Sequence, residues 1–118
     1  MIMRASPPVP LDLRRRWFHR NGTGDGWEVS PDLRRMVSFR ELNLVADWPM
    51  RGQFDVIFCR NVVIYFDEPT RDRVWSRFTR VMPPGGTLYV GHSERLSGHA
   101  ASRFESTGLT TYALRPVP

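Results

Sequence analysis

Two polar residues set directly behind an apolar run are the first candidates for chemistry in this sequence. Phe54-Asp-Val-Ile-Phe-Cys59 is rich in branched and aromatic side chains, and Arg60-Asn61 follows without a gap. The run reads as a parallel strand buried on both faces. A polar pair at a strand's carboxyl end stands where open α/β sheets bind ligands. Asn43-Leu44 comes at the end of a second run, Val37–Leu42 (VSFREL), which alternates like a strand. Each of these has a plainer reading. Asn43 is a common turn residue, Arg60 could be a solvated charge or ion-pair partner, and Tyr65 could be a core aromatic with its hydroxyl at the surface.

Other candidates are weaker. Cys59 sits within the strand run and reads as a buried, inert thiol. His92-Ser93-Glu94 offers the residue types of a hydrolytic triad, but contiguous residues cannot adopt triad geometry. His19 and His99 lack metal-ligand spacing, and the single cysteine speaks against a structural zinc. Asn21–Gly26 is glycine-rich but lies between hairpin-like runs, not between a strand and a helix, so it is a poor nucleotide loop. The basic run Arg14-Arg15-Arg16 reads as a solvated helix face, with nucleic-acid contact as the sharper alternative.

The elements that must position these residues are well marked. Asp67 suits an N-cap, Glu68 the positive end of a helix dipole, and Pro69 the first turn. Val74, Phe78 and Val81, with Trp75 and Met82, then fall on one face at helical spacing. Pro83-Pro84-Gly85-Gly86 stops the helix and turns the chain. Thr87–Val90 is a second buried strand ending in Gly91-His92-Ser93-Glu94. Strand, helix and strand of these lengths form a βαβ crossover, the repeating unit of a doubly wound sheet.

The flanking segments fit round this centre. Met1–Pro10 is proline-rich and reads as a flexible arm. Leu11–Phe18 is a short basic helix. Trp17–Arg20 and Trp27–Val29 form a small hairpin across the glycine-rich turn. A short helix opens at Ser30-Pro31-Asp32, capped by Ser30 or Asp32. Arg95–Ser102 is turn-like, and Arg103–Leu109 with Thr110–Leu114 makes a closing antiparallel pair. The expected organisation is an arm (1–10), a basic helix and hairpin (11–36) and an α/β region (37–118).

With 118 residues and 41% hydrophobic content, the chain holds one domain at most with a modest core. Its 17 basic residues, all arginine, outnumber 12 acidic ones for a net charge of +5. Arginine pairs planar carboxylates well, which suits an acidic protein substrate, although such a bias also follows from genomic base composition. One cysteine excludes an internal disulfide and fits a reducing compartment. No run approaches the roughly 18 apolar residues of a membrane span, and no secretory leader is evident, so a cytoplasmic location is expected.

The segment FDVIFCRNVVIYFD, followed by a helix, PPGG and GHSE, resembles the C-terminal half of the CheR-type chemotaxis methyltransferases. The resemblance runs from about residue 11 to residue 115. It implies a Rossmann-like sheet, S-adenosyl-L-methionine as cofactor, and methyl transfer to glutamate side chains on the cytoplasmic part of chemoreceptors. It further implies that Asn43 and Leu44 lie at the adenosine end of the cofactor and that Arg60 and Asn61 line its site. Tyr65 matches a tyrosine near the transferring methyl, and the segment of His92 and Glu94 borders the site in a structural role. The Trp17–Val29 hairpin matches a small β-subdomain that docks on receptors in some members. No metal is required.

The family's pattern has two further strands ahead of Val37, one ending in a glycine-bearing loop and one in an acidic residue for the ribose. Neither is found in these 118 residues. A partial sheet is therefore expected, with an open apolar edge on the Phe54 strand that favours self-association. Two alternatives stand beside the enzyme reading: a non-catalytic interaction module, and an arginine-rich nucleic-acid binder.

Overall fold

Asp67 begins the best-defined element of the molecule. Its side chain accepts a hydrogen bond from the Thr70 backbone N–H at 2.9 Å, and the helix Glu68–Arg80 follows with proline in its first turn. The computed structural model describes residues 2, 3, 9–22, 24 and 26–117. The chain divides into two compact units, Met1–Glu41 and Leu42–Pro118.

The first unit contains β1 (Ile2–Met3), α1 (Leu11–Trp17), β2 (Phe18–Arg20), β3 (Trp27–Val29) and α2 (Pro31–Arg35). β2 and β3 form the expected antiparallel hairpin, with Phe18 opposite Val29 and Arg20 opposite Trp27. β1 adds to the other side of β3, making a three-stranded sheet. Of the expected arm, Ile2 and Met3 are thus engaged in pairing, while residues 1 and 4–8 lie outside the described residues. Arg14 and Arg20 stand 5.7 and 5.3 Å from the Trp27 ring centroid, and Arg16 stands 4.8 Å from that of Trp17. The basic run is accordingly more than a solvated face, since two of its guanidinium groups cover aromatic rings. Ser30, not Asp32, caps α2 by accepting from the Leu33 N–H.

The Val37–Leu42 strand does not form. Residues 37–43 have no regular structure, and Phe39 is 82% exposed. Alternation prepares a segment for a sheet, but a strand exists only when a neighbour takes its backbone hydrogen bonds. The strands that the family pattern would supply are not among these residues.

The second unit contains β4 (Val56–Cys59), α3 (Glu68–Arg80), β5 (Thr87–Val90), α4 (Gly98–Ala101), β6 (Phe104–Gly108) and β7 (Thr111–Leu114). The sheet order is β4-β5-β7-β6, with β4 and β5 parallel and β7 antiparallel to both neighbours. Between α3 and β5, Gly85 takes a φ of +83°, which only glycine adopts freely, and the Gly86 N–H closes the turn onto the Pro83 carbonyl. The core lies on one face of the sheet, where Val74, Trp75 and Phe78 of α3 pack with Leu88, Val90, Phe104 and Leu114.

The expectation that the Phe54–Cys59 run is buried on both faces is corrected. Cys59 is buried and Ile57 packs against the core, but Val56 is 49% and Phe58 70% exposed. Phe58 stacks on Tyr89 of β5, with ring centroids 4.7 Å apart. A sheet of this kind normally carries helices on both faces, and here α3 and α4 cover one.

Two outcomes follow from this packing. Leu88→Ala, in the core, lowers unfolding free energy by about 2–5 kcal/mol, whereas Phe58→Ala, on the bare face, costs under about 1.5 kcal/mol. Urea denaturation of both variants reads the difference, and equal losses would mean that the second face is also a core. The hydrogen bonds from Thr70 hold the Asp67 carboxyl below its ordinary value of 3.8. A lowered folded value means that this stabilisation is complete above 3.8 and disappears as pH falls through the folded value. The melting temperature should therefore drop more steeply as pH falls below 3.8 in the wild type than in Asp67→Asn, whose amide caps without titrating.

Candidate functional site

The carboxyl ends of β4 and β5 meet at one buried side chain. Glu94, 3% exposed, is the one buried charged residue among the described residues. Its Oε1 accepts from the backbone N–H groups of Asn61 at 2.8 Å and Gly91 at 2.7 Å. Its Oε2 accepts from those of Val62, Val63 and Ile64 at 3.0–3.2 Å. The chemical reason lies in the local sequence. Val63–Tyr65 is a short 3₁₀ turn whose N-cap, Val62, has no side-chain oxygen with which to satisfy its first donors. Glu94, some thirty residues along the chain, supplies the oxygens instead.

The approach is close enough to require glycine at the end of β5. A Cβ on Gly91 would lie 2.5 Å from Asn61 Oδ1 and 2.8 Å from the Asn61 nitrogen. Asn61 itself has a φ of +59°, a left-handed conformation that asparagine tolerates better than most side chains. Arg60, Asn61 and Tyr65 are all exposed at this end of the sheet, Tyr65 to 81%.

The segment carrying Asn43 and Leu44 is fixed from α3. The Arg77 guanidinium donates to the carbonyls of Leu44, at 2.7 Å, and Ala46, and lies 5.9 Å from the Trp48 ring centroid. The Trp48 indole N–H donates to the same Leu44 carbonyl at 3.0 Å. The Asn43 side-chain oxygen accepts from the Val45 N–H at 3.1 Å, so the residue is engaged in the turn it begins. Leu44, Trp48, Phe58, Cys59, Val62 and Phe78 are among the residues lining an open, mostly apolar groove of ≈ 350 Å³. The structure thus brings Leu44 together with the β4 end, while Arg60, Asn61 and Tyr65 stand beyond the groove's lining.

Sequence reasoning missed Arg77 and, for Glu94, the backbone groups that its carboxylate gathers. Glu94 entered as a member of an implausible triad and, by resemblance, as part of a segment bordering the site in a structural role, without the five contacts seen here. The available signal was the lack of any capping side chain in Val62-Val63-Ile64. Arg77 gave none, being one more arginine on an amphipathic helix.

Cys59 is removed as a candidate nucleophile. Burial, with the nearby Glu94 carboxylate as a lesser cause, pushes its thiol from 9.0 up to about 11. The thiol should resist iodoacetamide at neutral pH in the folded chain and react once the chain is unfolded in urea. Rapid stoichiometric labelling of the native protein would contradict that placement.

A parallel β-α-β crossover, strand ends bearing polar residues and an adjoining apolar groove define half of a nucleotide-cofactor domain of the doubly wound type. Comparison with known proteins gives the family. Residues 4–113 match the CheR methyltransferase, SAM binding domain, and the chain belongs to that family. It is 50% identical over 110 residues to a probable chemotaxis protein methyltransferase of Rhizobium etli, covering 92% of this chain and 41% of that protein. It is 43% identical over 109 residues to chemotaxis protein methyltransferase 2 of Pseudomonas aeruginosa, covering 89% and 38%. It is 42% identical over 108 residues to the chemotaxis protein methyltransferase of Escherichia coli, covering 90% and 37%. The chain therefore spans about two-fifths of the length of these relatives. Among the described residues no helix is long and apolar enough to cross a membrane.

Proposed function

We propose that this chain is the C-terminal part of an S-adenosyl-L-methionine-dependent methyltransferase acting on glutamate side chains in the cytoplasmic part of chemoreceptors. The observation that carries the reading is the exposed Arg60-Asn61 pair at the end of β4, anchored to the end of β5 within a chain of this family. The cytoplasm is the proposed compartment, in keeping with the single buried, free cysteine.

The residues present fit part of the cofactor. The groove beside Leu44, Phe58 and Val62 offers an apolar wall suited to a planar base, and exposed Arg60 and Asn61, between Cys59 and Val62 of its lining in the chain, carry polar groups suited to a nucleoside. Asn43 and Leu44 are assigned to the adenosine end, and Arg60 and Asn61 to the site's lining. When bound, S-adenosyl-L-methionine supplies a methyl group activated on a sulfonium. The protein's part is alignment, water exclusion and electrostatics. Tyr65 is assigned to orient the acceptor carboxylate through its hydroxyl. A glutamate acceptor is already ionised near neutral pH, so no strong base is needed.

The unpaired edge of β4 supports a second proposal. Among the described residues β4 pairs with β5 alone, and its exposed Val56 and Phe58 lie beside that open edge. Such an edge recruits another strand, so the isolated chain should self-associate. A nucleic-acid role has less support, because Arg14, Arg16 and Arg20 cover tryptophan rings.

Titration of the chain with S-adenosyl-L-methionine, followed by amide NMR, tests the cofactor assignment. Shifts should concentrate at Leu44, Arg60, Asn61 and Val62, with a dissociation constant on the order of 1 mM for a partial site. Asn61→Ala should abolish them, and Tyr65→Phe should leave them intact. Shifts confined to β2 and β3, or none at saturating cofactor, would overturn the assignment. Sedimentation velocity reads the second proposal, which a compact monomer at all concentrations would refute.

A further inference from the structure

We infer that Glu94 is a positioning residue, which fixes Arg60, Asn61 and Tyr65 by holding the backbone between them against the end of β5. For its cofactor arm this inference rests on the reading above. Asn61 through Ile64 belong to no sheet ladder and no α-helix, and their N–H groups are taken by one carboxylate. The same carboxylate takes the Gly91 N–H, so both strand ends are registered to a single point. Arg60 immediately precedes this clamped segment and Tyr65 immediately follows it.

The geometry requires both two acceptor oxygens and the full reach of a glutamate side chain. Five donors converge on two oxygens, and no donor on Glu94 is called for. In Glu94→Gln one oxygen becomes an NH₂ group facing N–H donors, which leaves buried donors unpaired and pushes the segment away. Glu94→Asp keeps both oxygens but withdraws them by one methylene, beyond simultaneous reach of all five donors. Neither change touches the core side chains of α3, β6 or β7.

Hydrogen exchange on the full chain tests the assignment without any cofactor. In the wild type the amides of Asn61, Val62, Val63, Ile64 and Gly91 should be protected, and fast exchange there would overturn the inference before any variant is made. In Glu94→Gln, protection at these five should fall by about tenfold or more. Thr87 and Leu114, whose N–H groups bond to backbone carbonyls elsewhere in the sheet, should keep theirs. An equal loss at every amide would reduce Glu94 to a general stability role and overturn the positioning role, as would no loss at all. If Glu94→Gln does not fold, Glu94→Asp takes its place with the same local pattern expected. Calorimetry with S-adenosyl-L-methionine supplies the second readout, with affinity expected to fall about tenfold or more in the variant. If the wild type binds none, the functional reading fails while the exchange result still decides the role of Glu94. If both bind equally, the positioning role is overturned.

Discussion

A buried carboxylate surrounded by backbone N–H groups is the constraint on which the rest of the second unit depends. Taking a carboxylate out of water is costly by itself, and the cost is offset only when its oxygens are fully bonded. Glu94 meets that condition with donors from two separate strand ends. Hydrogen bonds to a charged group each contribute about 1.5–3 kcal/mol, more than neutral ones. The arrangement therefore acts as a rivet. The end of β4 cannot swing without leaving several donors unpaired, and the end of β5 cannot accept a side chain at Gly91 without displacing Asn61.

Arg77 applies the same logic with opposite charge. Its guanidinium gathers the carbonyls of Leu44 and Ala46, in a segment of the second unit that has no sheet or helix of its own. An anion collects donors at the ends of β4 and β5, and a cation collects acceptors in the segment of Leu44 and Ala46. The groove is lined in part by Phe78, whose ring is 5.3 Å from that of Trp48, and by Cys59, whose thiol burial keeps protonated. The site residues project from irregular backbone, and these two charges give that backbone a fixed course without regular secondary structure.

How far the sequence disclosed this depends on whether the signal was local. The α3 helix carries its own start at Asp67 and a stripe of apolar residues, and it was legible except at its end, which falls at Arg80, short of the Pro83–Gly86 turn, with Val81 and Met82 outside it. So were β5, the β6–β7 pair and the hairpin of β2 with β3, where alternation and turn residues agree. What escaped depends on partners. Val37–Leu42 has the pattern of a strand and lacks a neighbour, and Phe58 has the character of a core residue and lacks a covering layer. Ile2–Met3 looked like part of a loose arm, and pairing with β3 engages it. Glu94 and Arg77 act on backbone groups about thirty residues away, a relation that no local period encodes.

The bare face of the sheet and the open edge of β4 have a common cause. A parallel strand is stable when flanked on both edges and covered on both faces, and β4 has one of each. Yet β4 keeps its alignment with β5 over Val56–Cys59, and its carboxyl end is the better-ordered one chemically. The Phe54 N–H bonds to the Val81 carbonyl at the other end, so the strand is pinned at both termini from the covered side. A half-sheet so fastened holds the carboxyl ends of β4 and β5 in a defined shape. In this arrangement the crossover β4–α3–β5 provides position, with β5 on one edge of β4 and α3 on its covered face.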